Sequence, residues 1–133
     1  MLLFGLTTAQ AAEDQRSPLL LNADERGHVL EEMRTFLTSA HGVLQGVLQE
    51  DADAIAQAAR KAGRAAAHAV PQSLRAKLPM QFMKLGSDTH QRFDQLAMDA
   101  ESLGDASHSL QQLTELMGNC LACHDLYRID VQP

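Results

Sequence analysis

The chain has 133 residues, enough for one domain around one core. Its formal net charge is −6, with no basic tract and no aromatic–basic interleaving, which argues against a polyanion such as nucleic acid as partner. No apolar run approaches the ~20 residues that span a bilayer. The 20 alanines, set against no Trp, one Tyr and four Phe, favour helices over strands.

The first residues read as a processing segment. Leu2–Leu6 is a short apolar run, and Ala9-Gln10-Ala11 has the small-x-small pattern of a cleavage site, although no basic residues precede it. Residues 1–11 are therefore expected to be a truncated export signal, and 12–133 the mature domain.

Prolines at 18, 71, 79 and 133 leave two long proline-free stretches that can hold helices. In the first, Val29, Met33, Phe36, Leu37, Ala40, Leu44, Val47 and Leu48 follow the spacing of one helix face. Asn22 and Glu25 form a capping-box pattern at its start. Asp51 and Asp53 interrupt the face and can cap a second helix, predicted over about 53–70, with Ile55, Ala58, Ala59, Ala62, Ala66 and Ala69 inward. Val70 to Pro79 reads as a connector.

A third helix is expected from about Pro79, with Phe82, Leu85, Gly86, Thr89, Phe93, Leu96, Ala97, Ala100 and Leu103 on its face. Gly104-Asp105 combines a stop signal with a new cap. The fourth helix places Leu110, Leu113, Leu116, Met117, Cys120, His124 and Tyr127 along one side. No segment shows strand alternation. The expectation is an all-α protein, an antiparallel up-down-up-down four-helix bundle.

The only two cysteines stand in Cys120-Leu121-Ala122-Cys123-His124, the Cys-x-x-Cys-His pattern of c-type haem attachment. Each thiol adds across a haem vinyl group to form a thioether, and the adjacent His is placed as proximal ligand to the iron. On a helix, Cys120 and His124 share a face. A thioredoxin-like redox site expects a βαβ context, which is missing. A zinc site expects further ligands. A plain disulfide is compatible with export but gives the His no role. One covalent haem c is the expected cofactor, and its attachment independently requires export.

With this motif near the end of a four-helix pattern, the chain resembles the class II c-type cytochromes, the cytochrome c′ superfamily. The string from Cys120 to Arg128 is similar to that family's ending, and the likeness extends more weakly over about 24–129. The resemblance implies electron transfer or small-gas binding in a bacterial periplasm, and often an antiparallel homodimer through the first two helices. It also implies an Arg near the proximal side of the haem, at Arg128. The alternative for Arg128 is a surface side chain at a helix C-terminus. Tyr127 is expected to pack against the haem or the core.

The sixth ligand is the open position. If helices one and four run antiparallel, a residue of helix one at a depth similar to that of His124 faces the iron. His124 lies about five residues, or roughly 8 Å, from its helix end, and Met33 roughly 14 Å into helix one. Met33 lies mid-face and its sulfur can ligate iron, although Met is also a common core filler. Phe36 and Leu37 are expected to wall the pocket. His28 points about 140° away from Met33, and His41 lies about 25 Å deep. His68 and His90 sit off their apolar faces, and His108 starts the fourth helix, so all five are expected at the surface.

The expected function is a periplasmic electron carrier with His124 proximal and Met33 distal. The alternatives are a five-coordinate haem protein binding nitric oxide or carbon monoxide, and a haem subunit of a larger oxidoreductase. No base or nucleophile array surrounds the motif, so no enzyme activity is expected. The net charge would attract a basic redox partner.

Overall fold

The computed structural model describes residues 13–67 and 70–132. The expected export signal over 1–11 and His68 lie outside the described residues. The chain is mostly helical. In order it forms β1 (Ser17–Leu21), α1 (Ala23–Leu48), α2 (Ala52–Arg60), a 3-10 turn (Arg64–Ala66), α3 (Gln72–Lys77), α4 (Met80–Leu103), α5 (Ala106–Leu126) and β2 (Tyr127–Val131). Among the described residues no helix is long and apolar enough to cross a membrane.

The helix boundaries follow local chemistry. The Asn22 side chain accepts from the Glu25 backbone N–H at 2.9 Å, and the Glu25 carboxylate accepts from the Asn22 N–H at 3.0 Å, which completes a capping box. Asp51 caps α2 through the Ala54 N–H, and Asp105 caps α5 through the N–H groups of Ser107 and His108. Gly104 ends α4 in the left-handed region, at φ 63°, where a Cβ would be strained.

The second helix is shorter than its sequence pattern predicts. It stops at Arg60 rather than near residue 70, and tertiary contacts impose the break. Asp94 of α4 accepts from the Arg64 backbone N–H and from its Nε, both at 3.1 Å. A Cβ on Gly63 would lie 2.0 Å from Asp94 Oδ1, so any other residue at 63 would push the Asp94 carboxylate out of its bonds to Arg64. The connector before Pro79 holds a helical segment of its own, α3.

The two strands are a further departure. β1 and β2 pair in parallel, Ser17 opposite Tyr127 through Leu21 opposite Val131. Leu19 and Leu21 turn inward and Leu20 outward, a two-residue alternation too short to stand out next to Pro18. Tyr127 therefore begins a strand rather than continuing the helix face, and α5 ends at Leu126, two residues after His124. Because β1 leads into α1 and β2 leaves α5, the pair brings the start of α1 and the end of α5 together.

α1 packs against α2 and α5, and α4 against α2 and α5. The core they enclose includes Phe36, Val43, Ile55, Ala59, Phe93, Leu96, Leu113 and Leu116. A second cluster, built from Leu19, Leu21, Val29 and Leu74 with Phe82, Tyr127 and Ile129 against it, closes the strand end. Tyr127 meets Phe82 edge-on at 5.6 Å between ring centroids.

Within α1 the buried stripe is Glu25, Val29, Phe36, Ser39, Val43 and Gly46. Leu37, Leu44 and Leu48, expected inward, are exposed, as are Leu103, Leu110 and Met117 on α4 and α5. The stripe is rotated toward the small residues because α2 approaches there. A Cβ on Gly42 would lie 2.8 Å from Ala58 Cβ, and one on Gly46 would lie 2.7 Å from Ile55 Cγ1.

Candidate functional site

Cys120, Cys123 and His124 sit in the last two turns of α5, and the surrounding helices leave space beside them. A cavity of about 320 Å³ is lined by Met33, Phe36, Leu37 and Ala40 of α1, by Phe82, Leu85, Gly86, Thr89 and Phe93 of α4, and by Leu116, Met117, Asn119, Cys120, Cys123 and His124 of α5, with Glu32 at its edge. A second, of about 300 Å³, is lined by Arg16, Leu19, Arg26, Val29, Leu30, Met33, Phe82, Cys123, His124, Tyr127, Arg128 and Ile129. Met33, Phe82, Cys123 and His124 line both cavities, so the two spaces adjoin around those four side chains.

The residues singled out in the sequence thus divide between two adjoining spaces. Met33, Phe36, Leu37 and the Cys-x-x-Cys-His motif meet at the larger one, and Tyr127 and Arg128 line the smaller. Leu37 is exposed even though it borders the cavity. Met33, Cys120 and Cys123 are half-buried, and His124 is exposed. Sequence reasoning did not assign Phe82, Leu85, Gly86, Thr89, Met117 or Asn119 to this space. Four of them lay on the predicted face of α4, and what was missing was any cue that α4 borders the cavity. A Cβ on Gly86 would meet no atom within 4 Å, so this wall is kept open by a missing side chain.

The motif is fastened to α4 from the side. Asn119 Nδ2 donates to Asp88 Oδ2 at 2.8 Å and to Thr89 Oγ1 at 3.3 Å, and Thr89 Oγ1 donates to the Leu85 carbonyl at 2.7 Å. The bond from Asn119, with a second from Arg92, holds the Asp88 carboxyl below the usual carboxylate range. Burial pushes both cysteine thiols up, Cys123 further through its neighbour Cys120, so both are protonated at neutral pH. The two cysteines are free thiols. Among the described residues no group of three His, Cys, Asp or Glu side chains converges as a metal site.

Arg128 lies in β2, not at a helix C-terminus, because the helix ends before it. Its Nε and Nη2 donate to the Asp130 carboxylate, and Nη1 donates to the carbonyls of Asp14 and Arg16 at 2.9 and 3.0 Å. It ties the segment before β1 to the strand that follows the motif. The Asp130 hydrogen bond raises its pKa further.

His90 corrects another expectation. It is buried, not at the surface. Its Nδ1 lies 2.7 Å from the Ala62 carbonyl and its Nε2 lies 2.9 Å from Glu32 Oε1. Both partners are acceptors when Glu32 is ionised, so a protonated imidazole, donating from both ring nitrogens, would satisfy both. Burial alone would lower its pKa; the bonds to Glu32 and Ala62 outweigh burial and raise it. The amphipathic pattern missed this residue because it assigns polar side chains to solvent.

The residues fit the group that the motif implies. Two protonated thiols and an imidazole from one helix border an apolar cavity that a thioether side chain also lines. No protein family, characterised protein or solved structure matches the chain.

Proposed function

We propose that the chain is a mono-haem c-type cytochrome that carries electrons in the periplasm, similar to the cytochrome c′ superfamily. In this reading α1, α2, α4 and α5 form an antiparallel up-down-up-down four-helix bundle. The ring of contacts among those four helices, and the meeting of the start of α1 with the end of α5, support that arrangement. The observation that carries the function is the convergence of Cys120, Cys123, His124 and Met33 on one apolar cavity.

A haem bound there supplies one-electron chemistry. Cys120 and Cys123 would tether it through their thiols, and His124 would offer its imidazole from the same helix. Met33 offers a sulfur from α1. Phe36, Phe82 and Leu85 line that cavity with apolar surface and would limit water around a bound group, one of the levers on a reduction potential. Asn119, held by Asp88 and Thr89, keeps the motif turn against α4. A carrier gains from such a frame, because ligands on packed helices shift little when the charge changes.

The test is spectroscopic. The full chain, exported in a host that has a haem-attachment system, should gain the mass of one haem, and Cys120→Ala with Cys123→Ala should abolish that gain. The spectrum should be low-spin in both oxidation states and turn high-spin in Met33→Ala. A chain exported under these conditions that takes up no haem overturns the reading. A wild type that is high-spin and binds nitric oxide or carbon monoxide replaces the carrier with a gas-binding protein.

A further inference from the structure

A third cavity, of about 340 Å³, lies where α2 breaks off. The segment from Arg64 to Leu78 forms one side of it and α4 the other. None of Met33, Cys120, Cys123 and His124 lines it. Its size is within the ordinary range of small-ligand pockets. Two kinds of surface meet there. Arg64 and Arg75 supply guanidinium groups and Ser87 a hydroxyl, while Val70, Leu78, Phe82 and Met83 supply apolar carbon.

The charges around this space do not cancel. Asp94 accepts from the Arg64 Nε and from its backbone N–H, both at 3.1 Å, which fixes Arg64 and leaves its two Nη groups uncommitted among the described residues. Arg75 forms no ion pair among the described residues. Glu32 also lines the cavity, but its carboxylate lies 2.9 Å from His90 Nε2, and with His90 protonated that pair is neutral. One positive charge is therefore left over, on a chain whose formal net charge is −6. An uncommitted guanidinium beside apolar carbon suits an anion that has an apolar part of its own.

We propose that this cavity binds a small carboxylate with an apolar body, its oxygens held by Arg64 and Arg75 and its carbon skeleton laid on Leu78 and Phe82. Guanidinium donors match the paired oxygens of a carboxylate in one plane. An inorganic anion would make no use of the apolar side, and an uncharged apolar molecule would make none of the arginines. Both arginines are exposed, so the charged contact alone is worth little and apolar burial supplies the rest, which places the affinity in the millimolar range. The cavity shares Glu32, Phe82 and Gly86 with the larger one, and haem carries two carboxylates. The ligand can therefore be a free acid or the edge of the haem itself, and only the second source rests on the function proposed above.

The probe is benzoate, titrated into the full chain at constant ionic strength while amide chemical shifts are followed. The amides of Arg75, Leu78, Gly86 and Ser87 should shift together and saturate. Benzyl alcohol, which lacks the carboxylate, and inorganic phosphate, which lacks the apolar part, should each bind at least fivefold more weakly. Arg75→Gln should weaken benzoate at least fivefold and leave thermal unfolding unchanged, because the side chain is exposed. If that variant does not fold, Ser87→Asp carries the test, since a negative charge at this exposed position should weaken benzoate severalfold. A chain that takes up no haem fails the cytochrome reading, and the benzoate titration then decides this site by itself. In a haem-loaded chain, saturable binding assigns the site to a free acid. Exclusion of benzoate together with a reduction potential that moves in Arg75→Gln assigns it to the carboxylates of the haem. A haem-free chain that shows no saturable shift, a loaded chain that excludes benzoate and whose potential Arg75→Gln does not move, an equal response to benzyl alcohol or phosphate, or unchanged affinity in a folded variant overturns the proposal.

Discussion

The two ends of the helix assembly are built from the same helices yet differ in how those helices meet. At the end near Gly104 they close tightly. Val43, Ile55, Ala59, Leu96, Ala97 and Leu113 are fully buried there, and Gly46 lets α1 approach α2 until a single added carbon would collide. At the end that holds Cys120 to His124 the helices part around two cavities, strands take over the packing, and Gly86 meets no atom within 4 Å of an added carbon. The same residue type sets contact at one end and space at the other. The tightest packing lies away from the cavities, and the open end has room for a ligand.

That contrast is open to direct attack. The largest effect belongs to the closed end. Leu113→Ala removes a fully buried side chain and should cost about 2–5 kcal/mol, read as a drop in the denaturant midpoint. Met33→Ala at the open end should cost far less in the chain without ligand, and equal losses would erase the distinction.

Next come the glycines. Gly46→Ala should cost about 1–3 kcal/mol, because the new carbon meets Ile55 backbone as well as side chain. Gly86→Ala should instead stabilise by up to about 1 kcal/mol, since it raises helix propensity without a clash. Gly86→Leu should reduce occupancy of the cavity and shift the spectrum of a bound haem, while the fold survives. Loss of fold in Gly86→Leu would mean that the space is not there.

Asn22→Ala should cost about 0.5–2 kcal/mol by removing the cap of α1, measured by thermal melting. The smallest effect concerns pH. His90 has a raised folded pKa, so the stability it contributes is fully present below its ordinary value of 6.5 and is lost as pH rises through the folded value. The gap in melting temperature between wild type and His90→Gln should therefore narrow between pH 6 and 8.5. A gap that widens over that range would show that the imidazole is buried neutral.

Much of the frame was legible in the sequence, because caps are local. Asn22 with Glu25, Asp51, and Gly104 with Asp105 each mark a boundary with chemistry confined to a few residues. The end of α2 was not legible, since Asp94 and His90 impose it from about 30 residues away. The orientation of α1 was half legible. Its apolar arc is wide, and burial settled on the side of Ser39, Val43 and Gly46, where α2 fits closest, rather than at the centre of the leucines. Of the candidate site, Cys120, Cys123 and His124 were legible from spacing and Met33 from depth along α1. The α4 wall and the place of Arg128 were not, because both depend on which elements meet across the chain.

The parallel pairing of β1 with β2 also has a cost in chain entropy. Ser17 and Tyr127 are separated by about a hundred residues, and closing a loop of that length costs roughly 4 kcal/mol by (3/2)RT ln n plus a constant, comparable to what five cross-strand pairs recover. Packing of α1 against α5 brings those segments together and shares that cost. The clasp that Arg128 fastens therefore depends on the helices for its closure, and its amides should exchange faster than those of the buried helix faces.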